Sequence, residues 1–165
     1  LMTWPGAPTL YYGDEAGVCG FTDPDNRRTY PWGHEDQELV AFHKEIIRIH
    51  KSCEELRTGS LIELKSGDDF LAYARFNASM YSIVLMNCAD QEMTQKVPVW
   101  MAGVPCAMDC MEQAGNELKA EVKLTRLICT DETGYQTDPV EFAVVDGSIT
   151  VTLPKFSAML LRYTD

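Results

Sequence analysis

The sequence predicts a mainly β chain in which an antiparallel β-sandwich follows a strand, a long loop and a helix. Three observations support this. Residues 1–35 are rich in proline, glycine and aspartate, which favour turns. Apolar residues then recur every three or four positions over residues 36–56. From Ser60 onward the apolar period falls to two, and turn residues interrupt it at short intervals.

The first segment contains one short apolar run. Thr9–Tyr12 is bounded by Pro8 and Gly13, so it is expected to form a buried strand with both tyrosines in the interior. The rest of residues 1–35 reads as a loop. A loop of this length within a compact domain is usually functional.

The second segment predicts one helix from about Asp36 to Leu56, with Asp36 or His34 near its start and Thr58-Gly59 after its end. Charged residues occupy the face opposite the apolar stripe. The stripe comprises Leu39, Phe42, Ile46, Ile49, Cys53 and Leu56.

The third segment predicts about eight short strands, as in an antiparallel sandwich. Asp146-Gly147 between alternating residues is a strong hairpin signal. Residues 101–122 fit neither period and are expected to form an irregular insertion. The predicted strands are Leu61–Lys65, Phe70–Phe76, Tyr81–Asn87, Thr94–Trp100, Lys123–Cys129, Val140–Val145, Ser148–Leu153 and Ser157–Tyr163.

Composition excludes some classes of partner. The chain has 165 residues, of which 45% are hydrophobic, which is enough for an ordinary core. Its net charge of −11 argues against binding to nucleic acid or to an anionic membrane surface. No apolar run approaches the roughly 18 residues that a membrane span requires. A neutral ligand such as a sugar or a peptide fits this charge better.

The six cysteines have irregular spacing and form no CxxC pair. Cys106 and Cys110 could share a helix face, but no histidine or second thiol pair lies near them in the sequence to complete a metal site. Unpaired buried thiols in a reducing compartment are the favoured interpretation, so a cytoplasmic location is expected. No metal and no cofactor is predicted.

Several motifs resemble the α-amylase family of glycoside hydrolases, in particular its neopullulanase, cyclomaltodextrinase and maltogenic amylase branch. Gly6–Glu15 (GAPTLYYGDE) is similar to the segment around the eighth strand of that family's (β/α)8 barrel. Gly20–Arg28 (GFTDPDNRR) looks like the loop that follows it, and Leu39–Ile47 like the last barrel helix. Phe70–Arg75 and Leu153–Ala158 resemble strands of the β domain after the barrel.

The resemblance implies a division at the end of the helix. Residues 1–58 would be the last strand, substrate-side loop and last helix of the catalytic barrel, and residues 59–165 a C-terminal antiparallel β-sandwich. It also implies a parent enzyme that hydrolyses α-glucosidic bonds of starch-derived oligosaccharides, cyclodextrins or pullulan with retention of configuration. Its partners would be α-glucan oligosaccharides.

The catalytic acids are expected to lie outside this chain. Retaining enzymes need a nucleophilic carboxylate and an acid/base carboxyl close together. In this family the nucleophile is the aspartate of an Arg-x-Asp pattern, and a third catalytic residue is an aspartate directly after histidine. Neither pattern occurs here, so the resemblance places all three acids upstream of Leu1 and the chain alone is expected to be inactive.

Asp23, Arg27 and Trp32 are the candidate substrate-binding residues. Asp23 and Arg27 have the spacing of the family's Asp-Pro-x-x-Arg motif, which contacts a glucose on the non-reducing side of the cleft. Charge-assisted hydrogen bonds from such a pair could fix sugar hydroxyls. The alternative is a salt bridge that only shapes the loop. Trp32 either lines the cleft or packs under the loop.

Other polar residues favour structural roles. Asp14 and Glu15 are adjacent at the predicted end of a strand, where neighbours point to opposite sides, so they are expected to anchor the loop. His43 and His50 are expected to be partly buried, hydrogen-bonded residues of the helix.

Two alternatives to the hydrolase interpretation stay open. The sandwich could be a carbohydrate-binding module, which an exposed aromatic pair on one sheet face would indicate, or it could be purely structural. The simplest interpretation of the sandwich's other aromatic residues is that they belong to the sandwich itself: Trp100, Phe76, Tyr73 and Tyr81. Because the predicted helix and strand would lack the rest of a barrel, the isolated chain is expected to self-associate or to lie displaced over residues 1–35.

Overall fold

The computed structural model describes residues 1–105 and 122–163. A loop segment precedes two helices, α1 (Gln37–Ser52) and α2 (Glu54–Thr58), and nine strands follow. The strands are β1 (Ser60–Ser66), β2 (Phe70–Phe76), β3 (Tyr81–Asn87), β4 (Met93–Val97), β5 (Lys123–Asp131), β6 (Gly134–Gln136), β7 (Glu141–Ala143), β8 (Ile149–Leu153) and β9 (Ser157–Tyr163). No helix within the described ranges is long and apolar enough to cross a membrane.

The helix begins where the sequence predicts but is interrupted near its end. The Asp36 carboxylate caps α1 by accepting the backbone N–H groups of Glu38 and Leu39, both at 3.0 Å. Cys53 then leaves the helical conformation, with φ −105° and ψ 103°, although its N–H still donates to the carbonyl of Ile49. The prediction of one continuous helix is therefore wrong. The bend allows Cys53 and Leu56, both fully buried, to pack on the same sheet.

The β-sandwich prediction is confirmed. Seven strands form one antiparallel sheet in the order β1-β2-β3-β9-β5-β6, with β7 also paired to β5. Strands β4 and β8 form a second antiparallel sheet. The predicted bounds of β2, β3 and β9 match the structure, because turn residues separate these mostly apolar runs in the sequence.

Three predictions about secondary structure are corrected. Thr9–Tyr12 forms no strand, and Tyr11 and Tyr12 are 53% and 46% exposed instead of interior. A strand needs a neighbour for its backbone groups, and the described residues supply none there. Trp100 lies on a 3₁₀ turn after β4 and is exposed. The short strand β6 was not predicted. Most of the predicted irregular insertion, including Cys106 and Cys110, lies outside the described residues.

The large sheet is buried on both faces, so the described chain has three layers. Apolar residues of its inner face pack against β4 and β8 in one core. The outer face packs against the helices in a second core, formed by Ile49, Cys53, Leu56, Tyr73, Val84, Ile128 and Leu160. Strand β2 contributes to both, since Ala72 and Ala74 face one core and Tyr73 the other.

A charged cluster lies between the helices and the large sheet. Glu55 of α2 is fully buried, and its carboxylate accepts from Ser82 Oγ at 2.6 Å. Arg162 of β9 donates to the same carboxylate through Nε at 2.8 Å and Nη2 at 3.2 Å. Arg75 of β2, 1% exposed, donates to the backbone carbonyls of Thr3, Gly59 and Ser60. These bonds satisfy the buried charges and attach both the helix and the start of the chain to the sheet.

The start of the chain has further attachments. The hydroxyl groups of Thr3 and Tyr73 are 2.6 Å apart, and the ring of Trp4 meets that of Tyr73 edge-on. His50 Nδ1 lies 2.6 Å from the carbonyl oxygen of Met2. The segment before the loop is therefore held by contacts with α1 and β2.

Candidate functional site

The candidate site lies on the loop between Gly13 and Asp36. It begins with a 3₁₀ turn over Asp14–Ala16, for which Gly13 adopts φ +93°. A Cβ at Gly13 would lie 2.9 Å from a methyl carbon of Val18, so both conformation and space favour glycine. The Gly13 N–H donates to Glu15 Oε2 at 3.0 Å. Glu15 thus anchors the loop as predicted, although it lies on a turn and not at a strand end.

A second 3₁₀ turn, Asp25–Arg27, carries the predicted ligand-binding pair. It follows a cis Asp23–Pro24 peptide bond. Arg27 donates to the Asp23 carboxylate through Nε at 3.2 Å and Nη2 at 3.1 Å. The two side chains are 68% and 61% exposed. The structure thus brings Asp23 and Arg27 together as an open, two-point ion pair.

The exposure of this pair determines what it can do. A solvent-exposed ion pair adds little to folding stability. The fork of Arg27 has five N–H donors, and the bonds to Asp23 use Nε and Nη2, so Nη1 faces no carboxylate of this pair. Hydroxyl groups of a ligand can therefore bond to both members at once. Such charge-assisted bonds are stronger than neutral ones.

Trp32 is the third predicted site residue. Its side chain is 80% exposed, so it does not pack under the loop. Its ring lies 4.5 Å from that of Tyr30 at an angle of 49°, which holds the indole from one side. The ring contact of Trp32 is thus with Tyr30 and not with the Asp23–Arg27 pair. Partial burial, followed by the nearby charges of Glu15 and Glu35, raises the pKa of the Tyr30 phenol.

Three further loop residues, none of them predicted as a site residue, shape this surface. Phe21 is 91% exposed beside the second turn. Asp25 accepts two hydrogen bonds from Arg28, at 2.9 and 2.7 Å, and these bonds are the main reason that its pKa is lowered. Tyr12 donates its hydroxyl to the carbonyl of Arg28 at 3.0 Å. The three-residue spacing of Asp25 and Arg28 in the sequence is the feature from which their ion pair could have been predicted.

The histidine predictions are confirmed. His43 and His50 are half-buried, and the Nδ1 atom of each contacts a backbone carbonyl, that of Leu39 for His43 and that of Met2 for His50. Within the described residues no group of three or more His, Cys, Asp or Glu side chains could hold a metal ion. The four cysteines in these ranges, Cys19, Cys53, Cys88 and Cys129, are free thiols.

The aromatic residues of the sandwich do not form an exposed pair on a sheet face. Tyr73 is buried, and Phe76 and Tyr81 pack against the core between the sheets. The exposed aromatic side chains of the described sandwich, Trp100 and Phe156, both lie on turns. The arrangement that would indicate a carbohydrate-binding sheet is thus absent from the described strands, and the exposed rings concentrate on the loop of residues 11–32.

Comparison with known proteins gives partial matches to glycoside hydrolases. No family model matches the chain. The chain is 31% identical to neopullulanase 2 of Thermoactinomyces vulgaris over 131 residues, which is 75% of this chain and 22% of the relative. It is 49% identical over 74 residues to an amylopullulanase of Thermoanaerobacter thermohydrosulfuricus, covering 45% of this chain and 5% of the relative. Among solved structures, a debranching enzyme from Nostoc punctiforme matches at 26% identity with a TM-score of 0.67, over 98% of this chain and 29% of that one.

The chain is related to the α-amylase family of glycoside hydrolases. An Anoxybacillus α-amylase has the same fold over 99% of this chain and 30% of its own, with a TM-score of 0.74 at 20% identity. The chain therefore spans a minor part of its α-amylase-family relatives, in agreement with the predicted relationship to their C-terminal part.

Proposed function

We propose that this chain forms one wall of the sugar-binding cleft of a retaining α-glucan hydrolase and supplies its C-terminal β-sandwich. Residues 1–58 would be its share of the catalytic barrel, and residues 59–165 the sandwich. The substrates would be starch-derived oligosaccharides, cyclodextrins or pullulan. In this proposal the chain contributes binding and not the carboxyl groups that break the bond.

One observation carries the proposal: the exposed two-point pair of Asp23 and Arg27 on a loop with an exposed tryptophan. A glucose unit presents hydroxyl groups at its edge and C–H groups on its face. The pair matches the edge, since Asp23 accepts and Arg27 donates hydrogen bonds. The indole of Trp32 matches the face, since aromatic rings bury apolar surface while their edges remain hydrated.

The net charge of −11 supports a neutral glucan over an anionic ligand. The names of the relatives fit as well, since they include neopullulanase, cyclomaltodextrinase and amylopullulanase. The sequence contains neither the Arg-x-Asp nor the His-Asp pattern of the family's catalytic acids, so in this proposal the nucleophile of the displacement lies outside this chain. The purified chain is therefore expected to release no reducing sugar from maltotriose or pullulan above a buffer control.

Binding can be tested on the 165-residue chain by titrating maltoheptaose and following two-dimensional NMR spectra. We expect weak, saturable shifts of the Trp32 indole N–H and the Arg27 Nε–H signals. Arg27→Ala should weaken binding by about tenfold or more, because charge-assisted bonds are lost. Arg48→Ala is the matched control, since Arg48 is an exposed arginine paired with Glu45 on α1.

Two results would contradict the proposal. Saturable shifts confined to β-strands and unaffected by Arg27→Ala would identify a carbohydrate-binding module instead. Turnover abolished by substitution of a residue in this chain would show that the catalytic groups lie here after all.

A further inference from the structure

The Asp25–Arg28 pair lies within the same turn as the proposed sugar-binding pair and interleaves with it in the sequence. Asp25 Oδ1 accepts from Arg28 Nε at 2.9 Å and Nη2 at 2.7 Å. Its other oxygen, Oδ2, accepts the backbone N–H of Phe21 at 3.3 Å. One carboxylate thus joins Phe21, four residues before the turn begins, to Arg28, the residue after the turn.

The backbone around this carboxylate is closely packed. The Asp25 N–H donates to the carbonyl of Thr22 at 2.8 Å, and the Arg27 N–H donates to the carbonyl of Pro24 at 3.0 Å. A Cβ at Gly20 would lie 2.6 Å from the Cα of Asn26, so only glycine allows the loop to approach the turn. Tyr12 holds the residue after the turn, because its hydroxyl donates to the Arg28 carbonyl.

We infer that Asp25 is a positioning residue that fixes the turn on which Asp23 and Arg27 meet, so that both side chains are oriented before a sugar binds. This inference rests on the proposed function. Its physical basis is preorganisation: a site whose side chains are already oriented loses less conformational freedom on binding. Asp25 and Arg28 would therefore act on affinity without touching the ligand.

The side-chain exposures support this division of roles. Asp25 and Arg28 are 47% and 56% exposed, against 61% and 68% for Asp23 and Arg27, so the positioning pair is the more covered of the two. Asp25 also accepts three hydrogen bonds from both sides of the turn, whereas the Asp23 carboxylate bonds to Arg27 four residues away. The hydrogen bonds of Asp25 therefore constrain the backbone of the turn. The hydrogen bonds between Asp23 and Arg27 leave both side chains accessible to a ligand.

The chain offers a matched control on α1. Arg48 donates to Glu45 with the same three-residue spacing, through Nε at 2.9 Å and Nη2 at 2.6 Å. Glu45→Gln therefore removes the charge of a similar pair at a position outside the loop. Asp25→Asn keeps the shape of the side chain and removes its charge.

The test measures NMR spectra and maltoheptaose affinity of the 165-residue chain for Asp25→Asn, Arg28→Ala, the double variant and Glu45→Gln. Asp25→Asn should move the Phe21 amide and Arg28 Nε–H signals, raise the dissociation constant about two- to fivefold and leave the melting temperature unchanged. Arg28→Ala should weaken binding to the same extent. The double variant should be no weaker than either single variant, because both remove one interaction. Glu45→Gln should leave affinity unchanged.

The outcomes separate the two proposals. If Arg27→Ala weakens binding while Asp25→Asn changes neither the two signals nor the affinity, the positioning role is wrong and the sugar-binding proposal stands. If Arg27→Ala binds maltoheptaose like the unaltered chain, the sugar-binding proposal fails and the positioning role fails with it. Additive losses in the double variant would also overturn the inference, since they would mean that Asp25 and Arg28 act independently.

Discussion

Two arginine–carboxylate pairs of nearly equal geometry lie in different surroundings. Asp23–Arg27 on the loop and Glu55–Arg162 between helix and sheet each join a carboxylate to the Nε and Nη2 atoms of an arginine at 2.8–3.2 Å. The loop pair is more than half exposed, whereas Glu55 is fully buried and Arg162 is 17% exposed. The contrast shows that hydrogen-bond geometry alone does not identify the role of an ion pair. Solvent exposure distinguishes a pair that can bind a ligand from a pair that stabilises the fold.

The physical reason lies in the cost of removing charges from water. For a buried pair this cost is offset only if every hydrogen bond is made, so removal of one member leaves an uncompensated charge. For an exposed pair, water and salt screen the attraction, and the loss of one member is tolerated. The buried pair therefore serves stability, and the exposed pair is available to a ligand.

The largest expected effect is on stability at Glu55. Glu55→Ala should lower the free energy of unfolding by about 3–5 kcal/mol, because Arg162 loses its buried partner. Glu54→Ala is the matched control, since Glu54 is the exposed neighbour in the same helical turn. Urea denaturation followed by circular dichroism measures both. If Glu55→Ala does not fold, Glu55→Gln should still unfold at lower urea than the unaltered chain, and equal midpoints would contradict the assigned role.

The second effect concerns activity in an enzyme that carries this chain. Arg27→Ala should lower kcat/KM by about one to three decades, because a contact that positions the sugar is lost while the nucleophile remains. Initial rates with a cyclodextrin and with pullulan measure this. An undiminished kcat/KM would place the pair outside the cleft.

The third expected effect is a loss of folding stability at alkaline pH, caused by two buried thiols. Burial raises the pKa of the Cys53 and Cys129 thiols above their ordinary value of 9.0. The unfolded chain therefore ionises these thiols first as pH rises. The contribution of the neutral thiols to the free energy of unfolding is fully present below pH 9.0. It is lost as the pH rises toward the pKa of the thiols in the folded chain, by up to about 1.4 kcal/mol per pH unit for each thiol.

Denaturation midpoints measured upward from pH 9.0 test this expectation. Cys53→Ala should reduce the slope, because it removes one of the two buried thiols with a raised pKa. An identical slope in the Cys53 variant would show that this thiol does not contribute to the alkaline loss.

The smallest expected effect is on the thermal stability of a variant that loses the exposed ion pair. Arg27→Ala should shift the melting temperature by less than about 2 °C, because its ion pair is open to water. Differential scanning calorimetry is sufficient to detect a larger shift. A loss comparable to that of Glu55→Ala would remove the distinction between the two pairs.

The sequence predicts some of these features better than others. Strand β2 was delimited correctly because Gly67 and Asn77 flank a mostly apolar run that is buried along nearly its whole length. The break at Cys53 was missed, since the apolar spacing of the stripe continues across it and only packing on the sheet reveals the bend. The short strand β6 was also missed, because three residues beside a turn carry no measurable period.

Only part of the candidate site could be predicted from the sequence, because some of its contacts are local and others are long-range. The four-residue spacing of Asp23 and Arg27 is local, so their ion pair could be anticipated. The pairing of Glu55 with Arg162 joins residues 107 positions apart and depends on the order of the strands. Tyr12 bonding to the Arg28 carbonyl depends likewise on the path of an irregular loop. Long-range contacts of this kind have no signature in a single sequence.

The position of β9 has a consequence for synthesis on the ribosome. This strand comes after every other described strand in the sequence, yet it lies between β3 and β5 in the large sheet. Strands β1 to β3 can pair as they emerge, but β5 with its partners β6 and β7 stays separated from them until Ser157–Tyr163 has left the exit tunnel. The growing sheet therefore has two open strand edges, along β3 and β5, from the time that β5 emerges until β9 pairs with both, and such edges can pair with another chain.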